Sequence, residues 1–131
     1  MTTRRAARRM AIDLLYQADI TGEDPMDALE GWERAGRTVP MFARELVDGV
    51  ATFQPEIDLL LEENATEWTV ARMATVDRTI LRVAVYELRH RPDVPPSVAI
   101  SEAVEAASEL SADESRAFVN GILGKIEREN A

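Results

Sequence analysis

Four arginines crowd the first nine residues, Arg4, Arg5, Arg8 and Arg9, and no acid precedes Asp13. At 3.6 residues per turn, Arg5, Arg9, Ile12 and Tyr16 fall along one side of a helix. A row of guanidinium groups ending in a phenol ring suits a polyanion, with cations holding phosphates and an aromatic ring stacking on a base. Two readings of Tyr16 stay open on the sequence: its ring is a stacking surface, or it packs beneath a later helix of the same chain. Charge runs are commonly solvated helix faces. This run, however, opposes the helix dipole, at up to about 1 kcal/mol for each exposed cation near a helix N-terminus. An anionic ligand is the simplest compensation.

Residues able to do covalent or metal chemistry are scarce. The chain has no cysteine, which excludes disulfides, thiol catalysis and zinc–thiolate sites. Its one histidine, His90, stands between Arg89 and Arg91 without a nucleophile or a second metal-type ligand nearby. It reads as an exposed helix-end residue near favourable C-terminal carbonyls. Gly-rich phosphate loops, GxSxG, HExxH and calcium-loop patterns are missing. Trp32 and Trp68 sit among apolar neighbours and read as core. No catalytic residue, cofactor or metal is expected.

Charge narrows the ligand. Against 15 Lys and Arg stand 24 Asp and Glu, a net charge of −9. Such a chain does not coat nucleic acid indiscriminately, but it can take a polyanion at one basic place and repel it elsewhere. No apolar run reaches the ~18 residues a bilayer needs, and the Arg-rich start lacks the apolar stretch of a signal peptide. A cytoplasmic protein with no membrane partner is the expectation.

The elements that position these residues read as helices throughout. Ala7, Met10, Ala11, Leu14, Leu15 and Ala18 form the apolar stripe of a first helix from about Thr3 to Ile20, stopped at Thr21-Gly22. Asp24-Pro25 is a cap followed by a first-turn proline, opening a short helix through Met26, Leu29 and Trp32 to about Gly36. Phe42, Leu46, Val50 and Phe53 mark a third helix that Pro55 should end, and Ile57, Leu60 and Leu61 a fourth. Thr75 is a plausible cap for the most hydrophobic helix, Val76 to Leu88, expected to be central. Arg91 to Pro96 breaks the pattern. From Ser97, Ile100, Ala103, Val104, Ala107 and Leu110 begin another stripe. Ser115 should cap a last helix through Phe118, Val119, Ile122, Leu123 and Ile126. Asn120-Gly121 would signal a hairpin elsewhere, but its apolar neighbours are spaced helically. Gly121 then implies a closely crossing helix. The fold class is all-α: about seven short helices in one domain, residues 1–131, with a soft division near residues 64–68.

Several blocks, in order, identify a family. They are Arg4-Arg5 with Ala7-Arg8 leading to Leu15-Tyr16-Gln17, and Val76-Asp77-Arg78 through Ile80-Leu81-Arg82 to Tyr86-Glu87-Leu88. Val94-Pro95, Val98-Ala99-Ile100, Glu102-Ala103-Val104, and Ser115 with Phe118-Val119-Asn120-Gly121 follow. Over nearly its whole length the chain resembles NusB, the bacterial transcription antitermination family. The resemblance implies two small packed helical bundles, about 1–64 and 65–131. It implies a non-enzymatic adaptor that binds the boxA element of nascent RNA as a heterodimer with the ribosomal protein NusE. Other Nus factors and RNA polymerase would be reached indirectly. Carried over residue by residue, RNA contacts map onto Arg4, Arg5, Arg8, Arg9 and Tyr16, and onto Glu114 and Phe118. The NusE-facing surface would include Asp77, an acidic position that suits a basic ribosomal protein. Asp13 departs from the family pattern by placing a negative charge near the RNA face. The alternative is a protein-interaction module with weak or no intrinsic RNA binding. A homodimer of the free protein stays open.

Overall fold

The computed structural model describes residues 3–65 and 69–129. Six α-helices follow one another: α1 Arg4–Thr21, α2 Pro25–Arg34, α3 Met41–Asn64, α4 Thr75–His90, α5 Pro96–Leu110 and α6 Ser115–Glu129. A single 3-10 turn, Val70–Arg72, lies between α3 and α4. The described residues contain no strand.

Local chemistry sets most of the boundaries. Thr3 caps α1 by accepting a hydrogen bond from the Ala6 amide, and Gly22 ends it at φ 76°, a left-handed turn that favours glycine. The Asp24 carboxylate accepts from the Met26 and Asp27 amides, with Pro25 in the first turn of α2. Trp32 is buried, and its indole N–H donates to the Gln17 side-chain oxygen at 3.2 Å. Trp68 lies outside the described residues.

Three sequence expectations need correction here. Pro55 does not end a helix: α3 runs on to Asn64, so the third and fourth expected helices are one, and the count falls to six. A proline inside a helix costs about 3 kcal/mol through its missing N–H and a clash with the preceding turn. Beyond it, Ile57 and Leu61 are fully buried on the stripe that Leu46 and Val50 begin. Those two side chains stabilise the continuation by about 3 to 6 kcal/mol, which outweighs the proline. Thr75 is the first residue of α4 and not its cap, since Ala74 occupies that place without a side-chain bond. Gly121 sits inside α6, but a Cβ there would meet nothing within 4 Å, so no helix crosses at that point. The close crossing is at Gly49 of α3, where a Cβ would overlap the Tyr86 ring.

The helix α4 is central. Thr79, Ile80, Leu81, Val83, Ala84, Val85, Tyr86 and Glu87 are all buried, and α1, α3, α5 and α6 pack around it. One apolar cluster runs from Ala7 to Ile126 and includes residues from both halves of the chain. Among the described residues no helix is long and apolar enough to cross a membrane.

Candidate nucleic-acid interface

The N-terminal arginines emerge from α1, whose buried side is wider than its spacing suggests. Ile12 and Arg8 are buried together with Ala7, Ala11, Leu14, Leu15 and Ala18. Ile12 was expected on the outer side. It is covered because α1 is flanked by α4 and α5, and Arg8, Ile12, Ile80, Val83, Ala99 and Ala103 line one narrow cleft there. What remains outward is Arg4 at the start of the helix, and Arg5 and the half-buried Arg9, which Tyr16, 38% exposed, follows along the same side. The phenol is therefore not sealed in the interior.

Each arginine has a carboxylate partner from a distant part of the chain. Arg4 reaches Asp93 at 2.9 Å, Arg5 reaches Glu102 through Nε at 3.1 Å, and Arg9 reaches Glu109 at 2.6 Å. Arg8 is held differently. Its Nε and one terminal nitrogen donate to both oxygens of Glu87 at 2.9–3.1 Å, and both side chains are almost entirely enclosed. The geometry thus sorts the four into three surface groups and one interior strut joining α1 to α4.

Charge coupling follows from these contacts. The hydrogen bond that Arg5 donates to Glu102 raises the guanidinium pKa above its ordinary range. Arg91, and then Arg4, hold the Asp93 carboxyl well below the usual carboxylate range. Arg9 lowers that of Glu109.

An aromatic ring missed by the sequence reading sits at the same end. Phe42, taken as part of a core stripe, carries the guanidinium of Arg4 at 4.4 Å from its centroid, Arg91 at 5.0 Å and Arg8 at 5.2 Å. Arg91 is fixed by Asp93 and by Glu45. No local spacing announces this meeting of residues 4, 42 and 91. The acids on α5 did leave a signal: Glu102 and Glu109 are seven residues apart, two turns, and so share a helix face.

The remaining proposed positions gather elsewhere. Asp77, Glu114 and Phe118 line one groove of about 440 Å³ with Arg72, Met73 and Ser115. Asp77 is buried there. Ser111 donates to one of its oxygens at 2.6 Å and Ser115 to the other at 2.9 Å. Ser115, expected to cap α6, spends its hydroxyl on Asp77 instead. Glu114 is exposed and Phe118 half-buried against the core. His90 is not an exposed helix end: it stacks on Phe53 with centroids 3.8 Å apart and meets Glu56 at 3.2 Å. No group of three or more metal-type ligands occurs among the described residues.

A family model described as the NusB family matches residues 5–128. The transcription antitermination protein NusB of Acidothermus cellulolyticus is 45% identical over 132 residues, covering 100% of this chain and 91% of that protein. Its counterpart in Saccharopolyspora erythraea is 48% identical, over 96% of this chain and 87% of that one. Among solved structures, NusB of T. maritima superposes with a TM-score of 0.88 at 34% identity, covering 98% and 92% of the two chains. The crystal structure of antitermination factors NusB and NusE in complex with double-stranded RNA gives 0.84 at 27% identity, over 96% of each chain.

Proposed function

The chain belongs to the NusB family, and from that premise we propose that it is a transcription antitermination factor binding boxA-type RNA together with NusE. It acts in the cytoplasm on nascent RNA, and through its partners on the elongating polymerase. Arg4, Arg5 and Arg9 take phosphates, and Tyr16 supplies a stacking surface. Arg8 fixes the pitch of the basic turn against Glu87. Glu114 and Phe118 extend the RNA contacts toward the last helix. Asp77 shapes the groove that faces NusE.

The observation that carries this reading is the joint placement of the exposed Arg5, the half-buried Arg9 and the Tyr16 ring on one side of α1, with Arg4 exposed at its start, in a chain of net charge −9. A polyanion meets attraction there and repulsion over much of the remaining surface. With three phosphate contacts, log affinity against log salt should fall with a slope of about −2 on single-stranded RNA.

A second reading has its own observation. Every N-terminal arginine is engaged by a carboxylate of the same chain, which favours a protein-interaction module with weak intrinsic RNA binding. A gel shift with boxA RNA, run with and without NusE and repeated across salt concentrations, separates the two. Salt-dependent binding to RNA supports the first. Binding to NusE with no RNA shift in either condition supports the second.

A further inference from the structure

We infer that Asp93, Glu102 and Glu109 stand where RNA phosphates go, and that binding replaces these three carboxylates on Arg4, Arg5 and Arg9. The inference rests on the RNA-binding reading of α1 and adds the residues that set its strength.

Three features of the geometry support it. First, the pairs are arranged as a strip. Arg4, Arg5 and Arg9, all within the first two turns of α1, meet acids drawn from one stretch, residues 93–109, on α5 and the connector before it. They are long-range contacts, 89 to 100 residues apart in sequence, and not the i,i+4 pairs a helix makes with itself.

Second, solvent access divides the exchangeable from the fixed. Arg8 and Glu87 are 7% and 2% exposed, so a pair broken there leaves a charge in the interior. Arg4 and Asp93 are 50% and 46% exposed, Arg5 and Glu102 59% and 17%, Arg9 and Glu109 23% and 55%. Pairs of that kind are weak, because water and salt replace either partner at little cost. A phosphate can take the guanidinium; Glu102 and Glu109 are then released to solvent, while Asp93 keeps its two hydrogen bonds from Arg91.

Third, a carboxylate and a phosphate offer a guanidinium the same thing: paired anionic oxygens at hydrogen-bonding distance. The acids keep the three guanidinium groups extended toward α5 and the connector before it, each through one nitrogen, so that the others are free to meet a phosphate. They also compete with it. A ligand that brings only phosphate charge gains little by exchange. A ligand that adds stacking on Tyr16, or a second protein, gains enough to displace all three.

Neutralising the acids should therefore tighten RNA binding beyond the effect of net charge. The test uses the full chain and a fluorescently labelled single-stranded RNA carrying boxA, read by anisotropy. One variant combines Asp93→Asn, Glu102→Gln and Glu109→Gln. A control combines Glu23→Gln, Glu63→Gln and Glu129→Gln, three exposed acids outside these pairs, and so makes the same charge change. The first should bind about tenfold tighter than the wild type, from three pairs each worth a factor of a few. The control should change binding by less than about twofold. Circular dichroism checks that both are folded. Equal gains in the two variants would overturn the inference and leave RNA binding standing. RNA binding by the first variant alone, with none detectable in the wild type, would support it. Absence of binding in every variant would overturn it together with the reading it rests on.

Discussion

Replacing Arg8 by alanine should unfold the protein far more readily than replacing any of its three neighbours. Glu87 is 1% exposed in the last turn of α4, and Arg8 gives it three short hydrogen-bonding contacts of 2.9–3.1 Å. Without Arg8 that carboxylate is buried and uncompensated, a loss of about 3 to 5 kcal/mol. For a chain of this size, roughly 3 to 5 °C of melting temperature accompany each kcal/mol. The expected fall is then about 10 to 20 °C by thermal circular dichroism, with a matching drop in urea midpoint. Arg8→Met combined with Glu87→Leu should recover most of it, because two apolar side chains of similar length need no counter-charge in that place. A loss below about 1 kcal/mol for Arg8→Ala, or no recovery in the double variant, would refute the claim that this pair is an interior strut. The same experiment guards the functional reading, since lost RNA binding in an Arg8 variant reports on folding before it reports on contact.

Other outcomes follow from particular contacts. Gly49→Ala should destabilise by about 1 to 3 kcal/mol in urea melts, because the new methyl overlaps the buried Tyr86 ring. Asp77→Ala should cost about 1 to 3 kcal/mol, since two hydroxyls, of Ser111 and Ser115, lose their acceptor. Amide exchange should speed up first in the α5–α6 connector. Acid should weaken the fold through Glu109, whose carboxyl titrates below its ordinary 4.5 because Arg9 holds it ionised. A depressed carboxyl contributes stability above its unfolded value, and that contribution is lost as pH falls through the folded one. Urea midpoints taken from about pH 6 to about pH 3 should fall less steeply in Glu109→Gln than in the wild type.

The fold was legible where local chemistry decides it. The capping Asp24-Pro25 pair, the stop at Gly22 and the apolar stripe of α4 each follow from residues within one or two turns of one another. It was not legible where distant residues decide. Pro55 looks like a terminator until the burial of Ile57 and Leu61 is counted, and that burial depends on a core drawn from the whole chain. Gly121 looks like a crossing point until α6 is seen with open space beside it, while Gly49, which carries no pattern, takes the Tyr86 ring. In the candidate site the helix bearing the arginines and Tyr16 could be drawn from spacing alone. The sorting of Arg8 inward and Arg5 outward could not, because it depends on Glu87 and Glu102, some 80 to 100 residues further on. Asp77 illustrates the same limit: its hydrogen bonds from Ser111 and Ser115 come from residues 34 and 38 positions further on.

The most direct measurement is the affinity of boxA RNA, with NusE present, for the chain carrying Arg5→Glu and Arg9→Glu. Both side chains lie outside the core, so the helical circular dichroism spectrum should match the wild type while RNA binding is lost. A charge-reversed chain that still bound RNA within about twofold of the wild type would contradict the account, because reversing two phosphate-contacting charges must lower the affinity.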